Sequence, residues 1–207
     1  MRRIIVAAFL SLDGVMQAPG GPSEDNDGGF AHGGWTVTYV DQGFGQAMEQ
    51  LFAQPFDLLL GRRTYDIFAA HWPRVPEDSG DWPLADVFNR ITKHVATHRP
   101  ESLDWHNSRG MGDDVVGALH KLKADEGPNL LTQGSSELVH QLLATDLVDE
   151  LRLLVYPVLL GKGKRLFDSE AQSAAFRLES SAASPSGIVI SHYVREGPVQ
   201  TGSYELD

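Results

Sequence analysis

Phe56-Asp57-Leu58-Leu59-Leu60-Gly61-Arg62-Arg63-Thr64-Tyr65 is the stretch on which the fold turns. Phe56 to Leu60 is a short apolar run with the length of a buried strand, and Gly61 follows it at once. Beyond the glycine, Tyr65, Phe68, Ala69 and Trp72 fall on one face of a helix. The reading is strand, tight turn, helix. A second copy of the pattern lies further on, where Asn129 to Thr132 runs through Gln133-Gly134-Ser135-Ser136 into a helix carrying Leu138, Val139, Leu142 and Leu143.

Working outward, Ile4 to Leu10 is a branched apolar run, the pattern of a central strand buried on both faces of a parallel sheet. Phe44, Ala47, Met48, Leu51 and Phe52 share a helical face that Pro55 stops. Leu84, Val87, Phe88 and Ile91 repeat that spacing before a strand at about His94 to Thr97. Val115, Leu119 and Leu122 mark a helix ended by Gly127-Pro128. After Asp149 the pattern changes to three strands, Leu151 to Leu160, Phe176 to Ala182 and Gly187 to Val194, with no helix between the last two. The class is therefore α/β, with a mostly parallel central sheet, helices on both faces and a C-terminal antiparallel hairpin. One domain is expected over residues 1–195, followed by a polar tail over 196–207.

A formal net charge of -11 sets nucleic acid and anionic membranes against this surface and favours a small-molecule ligand. The absence of cysteine removes disulfides, thiolate metal sites and cysteine nucleophiles, and fits a reducing, cytoplasmic setting. No apolar run approaches the roughly 20 residues of a membrane span. His32, His71, His94 and His98 share no metal-binding spacing, so no metal site is expected.

In open α/β sheets, ligands sit at the carboxyl ends of the parallel strands, where helix N-termini offer unpaired N–H groups. Gly61 to Thr64 and Gly134 to Ser136 both have that form, and together they would hold a pyrophosphate from two sides. Arginines at a helix start oppose the dipole by about 0.3–1 kcal/mol each, a misfit that an anion between them and the helix would relieve. The other basic cluster, Lys162-Gly163-Lys164-Arg165, lacks the spacing and the Ser or Thr of a P-loop and reads as a solvated loop. Asp13 to Trp35 carries seven glycines and two prolines, the composition of a lid. Trp35 is its candidate for stacking on substrate, because such a loop has little core of its own; Trp72 is a second candidate but lies on the apolar face of its helix.

The chain resembles the dihydrofolate-reductase-like family, close to the C-terminal reductase domain of the bifunctional riboflavin-biosynthesis deaminase-reductase. The matching stretches are Leu10-Ser11-Leu12-Asp13-Gly14, Leu60 to Tyr65, Gln133-Gly134-Ser135, and Asp149-Glu150-Leu151 leading into Pro157 to Gly161 and Leu166-Phe167. They stand in family order over residues 4 to about 195. The resemblance implies a three-layer fold, a homodimer, and an NADPH-dependent reductase acting on a small polar, pterin- or pyrimidine-like ring. It implies that Gly61, Arg62, Arg63 and Thr64 meet the 2′-phosphate and pyrophosphate, and that Thr97, His98 and Arg99 lie beside the adenosine, with Arg99 a second candidate for the 2′-phosphate. Gly134, Ser135 and Ser136 would hold the pyrophosphate, with Ala7 and Ala8 near the nicotinamide. One departure is that Gln133 stands where dihydrofolate reductases have the first of two glycines. The proton source is left between Asp13, after the first strand, and Asp41, which follows Trp35 with a similar but not identical spacing. The alternative is an NADP-binding sensor that keeps the cofactor corners without turnover; a third is a structural dimer in which the glycines serve packing alone.

Overall fold

In the computed structural model, which describes residues 1–204, eight strands form one sheet in the order β4-β3-β2-β5-β1-β6-β8-β7. These are β1 (Ile4–Leu10), β2 (Phe56–Gly61), β3 (Lys93–Ala96), β4 (Ser108–Gly110), β5 (Asn129–Gln133), β6 (Glu150–Val155), β7 (Ala175–Ala183) and β8 (Val189–Gly197). β4 through β6 pair in parallel along that order, and β6, β8 and β7 pair antiparallel. Among the described residues the five α-helices are α1 (Gln42–Phe52), α2 (Arg62–His71), α3 (Trp82–Arg90), α4 (Val115–Ala124) and α5 (Ser136–Ala144).

β1 is central because both of its faces are apolar. Ile4, Val6, Ala8 and Leu10 pack with Leu119 of α4 and Leu138, Val139, Leu142 and Leu143 of α5. Ile5 and Ala7 face the other way, toward Leu51 of α1, Tyr65 of α2 and Phe88 of α3. Two helix layers thus enclose the sheet, as the alternation of strands and helices predicts.

Three differences from the expected elements have simple causes. β4 is a three-residue edge strand of Ser, Arg and Gly, with no apolar signal to find; its pairing to β3 makes it a strand. β6 ends at Val155 rather than at Leu160, and the chain turns there so that Leu12 N donates to Val158 O at 2.8 Å. The polar tail expected from residue 196 begins later, since Glu196 and Gly197 close β8; its last three residues, 205–207, lie outside the described residues. Among the described residues no helix is long and apolar enough to cross a membrane, and no group of three or more His, Cys, Asp or Glu is placed to hold a metal.

Lys93 opens β3 fully buried. Its ammonium donates to Asn89 O and Ile91 O at 3.1 and 3.0 Å and lies 4.3 Å from the centre of the Trp105 ring, while burial lowers its pKa to about 8. This ties the end of α3 to the wall beneath β3.

Candidate active site

A cavity of about 840 Å³ opens at the carboxyl ends of β1, β2, β3 and β5, at the upper end of the size range of ligand pockets. Each of these four strands delivers a residue at or next to its carboxyl end: Phe9, Gly61, Ala96 with Thr97, and Gln133. Two helices begin at its wall. α2 has Gly61 as its N-cap, and a glycine has no side chain with which to cap the first amides. α5 has Ser135 as its N-cap, but the hydroxyl makes no cap and instead accepts the Gly61 N–H at 2.9 Å. Both helix starts therefore lack a side-chain cap, and the two corners are stitched to each other.

The backbone at the second corner is unusual. Gly134 has φ +83° and Ser135 has φ +58°, ψ +55°, a left-handed conformation that costs a non-glycine residue about 1–2 kcal/mol. A Cβ on Gly134 would lie 3.5 Å from Thr64 Oγ1 and Cγ2, in ordinary contact, so it is backbone conformation and not space that calls for glycine. This strain lies at a cavity wall, where strained residues concentrate.

Eleven of the residues expected at the site line this cavity: Gly61, Arg62, Arg63, Thr64, Trp72, Thr97, His98, Arg99, Gly134, Ser135 and Ser136. Arg62 spans two elements. Its Nε donates to both Asp66 oxygens at 2.9 and 3.0 Å, and its Nη1 reaches Arg99 O at 3.2 Å and Ser102 Oγ at 2.6 Å. Trp72 both lines the cavity and packs edge-on to Phe88, with ring centres 4.8 Å apart.

The other five do not line it. Ala7 and Ala8 are covered by the helix layers, and Phe9 is the residue of β1 that reaches the cavity. Asp13 braces the loop after β6: it accepts from Leu160 N at 3.1 Å, Gly161 N at 2.8 Å and Ser11 Oγ at 2.7 Å, with Arg165 at 3.3 Å. The Ser11 hydroxyl and the Leu160 amide hold its pKa down at about 2. Asp41 is the N-cap of α1, accepting from Phe44 N at 2.9 Å and Ser186 N at 2.8 Å, which pull its pKa well below the carboxylate range. Trp35 stands against a small core that the glycine-rich loop does possess, built from Val15, Ala18 and Phe30 with Leu160. Its indole N–H donates to Gln17 O at 2.8 Å and its ring meets Tyr156 edge-on at 5.3 Å.

Because its folded-state pKa is depressed, the Asp13 brace is at full strength above the ordinary carboxylate pKa of 3.8 and fades as the pH falls toward 2. Asp13→Asn should abolish that acid-side loss. Comparing the unfolding midpoints of the two proteins between pH 5 and pH 2.5 checks it, and an unchanged difference across that window would remove Asp13 from the bracing role.

The cavity also uses residues that the sequence did not assign to the site: Phe9, Met16, Gln17, Glu24, Asp25, Asp27, Phe68 and Lys164. Glu24 Oε2 accepts from Gly20 N at 2.6 Å and Gly21 N at 3.2 Å, and burial nevertheless raises its pKa. The cluster Lys162 to Arg165, expected as a solvated loop, is tied down instead. Lys164 Nζ reaches Asp25 Oδ2 at 2.6 Å and Asp27 Oδ2 at 2.9 Å, and Arg165 Nε donates to Asp13 O at 3.0 Å. Its partners lie more than 130 residues away in sequence, so the basic run by itself could not reveal them. Gly163, at φ +135°, permits the approach: a Cβ there would sit 2.5 Å from Val15 Cγ1.

Fold and site together define an α/β protein of dihydrofolate-reductase-like architecture, with its ligand cleft at the carboxyl ends of the parallel strands. The chain belongs to the RibD C-terminal domain family, whose model matches residues 2–190. It is 25% identical to the uncharacterized protein YyaP of Bacillus subtilis (strain 168) over 188 residues, 91% of this chain and 92% of that one. It is 26% identical to YwjB of the same organism over 197 residues, 94% and 98% of the two chains. Among solved structures it is similar to a putative riboflavin biosynthesis protein from Shewanella sp. PV-4, with TM-score 0.61, 24% identity, and 94% and 99% of the chains covered. It is also similar to a pyrimidine reductase-like protein from Corynebacterium diphtheriae, with TM-score 0.57, 15% identity, and 94% and 92% covered. At these identities the two structures speak to the fold; the family match makes this a reductase-type domain.

Proposed function

We propose that the cleft binds NADPH and that the protein transfers its hydride to a small polar heterocycle, pterin- or pyrimidine-like. The observation that carries this reading is the pair of uncapped helix starts, joined through Ser135 Oγ and Gly61 N–H and opening on one cavity. Such a pair offers amide donors and two positive dipole ends to a pyrophosphate. Thr97, His98 and Arg99 line the adenosine end, while Phe9, Met16, Phe68 and Trp72 supply apolar and aromatic surface for flat rings. The cofactor brings the hydride; the protein's task is alignment, exclusion of water and a proton.

Glu24 is the acid this reading assigns to the substrate side, in place of Asp13 and Asp41, whose oxygens are occupied by structural bonds. It lines the cavity, and its raised pKa keeps a larger share of it protonated near neutral pH than an ordinary glutamate. Glu24→Gln keeps an acceptor for the Gly20 and Gly21 amides and removes the proton. The expected result is a fall in the hydride-transfer rate of about 10²–10⁴-fold, the usual share of a general acid, with NADPH affinity nearly unchanged. In the unmutated protein the rate should decline as pH rises through the Glu24 pKa, and that decline should vanish in the variant. Following NADPH absorbance with a panel of pterins, aminopyrimidines and quinones is the measurement. Binding without turnover on the whole panel would favour the sensor reading, which the structural use of Asp13 and Asp41 also supports.

A homodimer belongs to the same proposal. β7 ends the sheet as a nine-residue edge strand, and Leu178 on it and Val189 on β8 are both about half exposed. Long exposed edge strands are normally covered. The reducing cytoplasm is the setting in which we place this chemistry, in keeping with a chain free of cysteine.

A further inference from the structure

We propose that Asp25 and Asp27 are built-in competitors for the phosphate groups of the ligand, so that binding an anion at Arg63 and Lys164 requires the loop segment 20–29 to let go. Four charges from three parts of the chain meet at the cavity wall: the two aspartates from the glycine-rich loop, Arg63 from the first turn of α2, and Lys164 from the loop after β6. Asp25 shares itself between the cations, with Oδ1 accepting from Arg63 and Oδ2 lying 2.6 Å from Lys164 Nζ. Asp27 does more, since its single Oδ2 is bonded by Arg63 and also lies 2.9 Å from Lys164 Nζ.

That last contact defines the geometry. Two cations converging on one carboxylate oxygen form a seat that one phosphate oxygen would fit equally well, with a fork from arginine and a point charge from lysine. The aspartates occupy the seat and cancel its charge, two against two. A phosphate that only approached would meet Asp25 and Asp27 and be repelled; one that replaces them gains both cations.

The exchange is feasible because the Asp27 pairs are weakly held. Half of the Arg63 side chain and half of Asp27 are exposed, so solvent screens their attraction, whereas Asp25 is nine-tenths buried and is the firmer of the two aspartates. The backbone on either side suits release. Gly20 and Gly21 precede the acidic pair, and Gly28 and Gly29 follow it at φ +64° and +72° with open space around both. Gln17 lies at the base of the segment, its Nε2 donating to Asp25 O and Asp27 O at 3.1 Å each and its Oε1 accepting from Lys164 N at 3.0 Å. Glu24 rides on the same segment, so displacement of the aspartates by a phosphate also repositions the proposed acid.

The inference rests on the cofactor reading only for the identity of the ligand, and the test separates the two. NADPH is titrated calorimetrically into the unmutated protein and into Asp25→Asn/Asp27→Asn, while amide hydrogen exchange over residues 20–29 is followed with NADPH and, separately, with inorganic pyrophosphate. The double variant should bind NADPH about ten-fold more tightly, as expected once neither aspartate competes with the anion for Arg63 and Lys164. In the unmutated protein either ligand should speed exchange across 20–29. Equal or weaker binding by the variant, or slower exchange on adding ligand, overturns the proposal, since the aspartates would then clamp the ligand. If neither protein binds NADPH, the cofactor reading fails by itself and the pyrophosphate arm decides: faster exchange supports the competition, and unchanged or slower exchange ends it.

Discussion

Replacing Arg99 with alanine is expected to weaken NADPH binding about ten-fold or more while leaving NADH binding nearly unchanged, measured by titration of each cofactor. The expectation follows from how the three cavity arginines are occupied. Arg63 is held by Asp25 and Asp27, and Arg62 by Asp66, Arg99 O and Ser102 Oγ. Among the described ion pairs none engages Arg99, which lines the cavity beside Thr97 and His98, at what we propose is the adenosine end. A charge-assisted contact to a 2′-phosphate contributes about 1.5–3 kcal/mol, and solvent exposure places this one at the lower end, close to a factor of ten. Arg62→Ala should behave differently. By releasing the turn that carries Arg99 and Ser102, it should weaken NADPH and NADH together. Equal losses for both cofactors in Arg99→Ala would move that side chain to the pyrophosphate, and no loss would take it out of the site.

Trp35→Ala should lower the thermal midpoint by roughly 6–12 °C, a large change for one residue. Trp-to-Ala changes in cores cost about 3–5 kcal/mol, and Trp35 is partly rather than fully buried, which favours the lower value. For a domain of this size each kcal/mol shifts the midpoint by about 2–4 °C. The loss would come from three places: the bond to Gln17 O, the edge-on contact with Tyr156, and the Val15, Ala18 and Phe30 cluster. Differential scanning calorimetry reads it directly. A midpoint that hardly moves, together with a raised Michaelis constant, would return Trp35 to the substrate side. The glycine-rich loop looked coreless because its apolar residues are scattered singly among glycines; folding collects them into one cluster.

The legible part of this protein was its periodic part. The strand, glycine and helix order of Phe56 to Tyr65 and of Asn129 to Ser136 names both corners of the cleft, because local backbone chemistry alone decides where such a turn goes. The same holds for β1, whose unbroken apolar run requires a helix layer on each side. Gln17, Glu24, Asp25, Asp27 and Lys164 carried no such signal. Their significance depends on which distant charges they meet, and a loop rich in glycine leaves that undetermined until the sheet brings residues 17–27 against 63 and 164. Asp13 and Asp41 show the converse, acids that look catalytic in sequence but whose oxygens are already spent on amides of residues 161 and 186.

By itself, then, the sequence determined the α/β class, the closing antiparallel hairpin and the two strand-glycine-helix corners, all products of short-range periodicity and turn chemistry. Only the tertiary structure decided which carboxylates face the cavity and which cations are already paired. Those are properties of long-range contact, as when Lys164 finds its carboxylate partners 139 and 137 residues away in sequence.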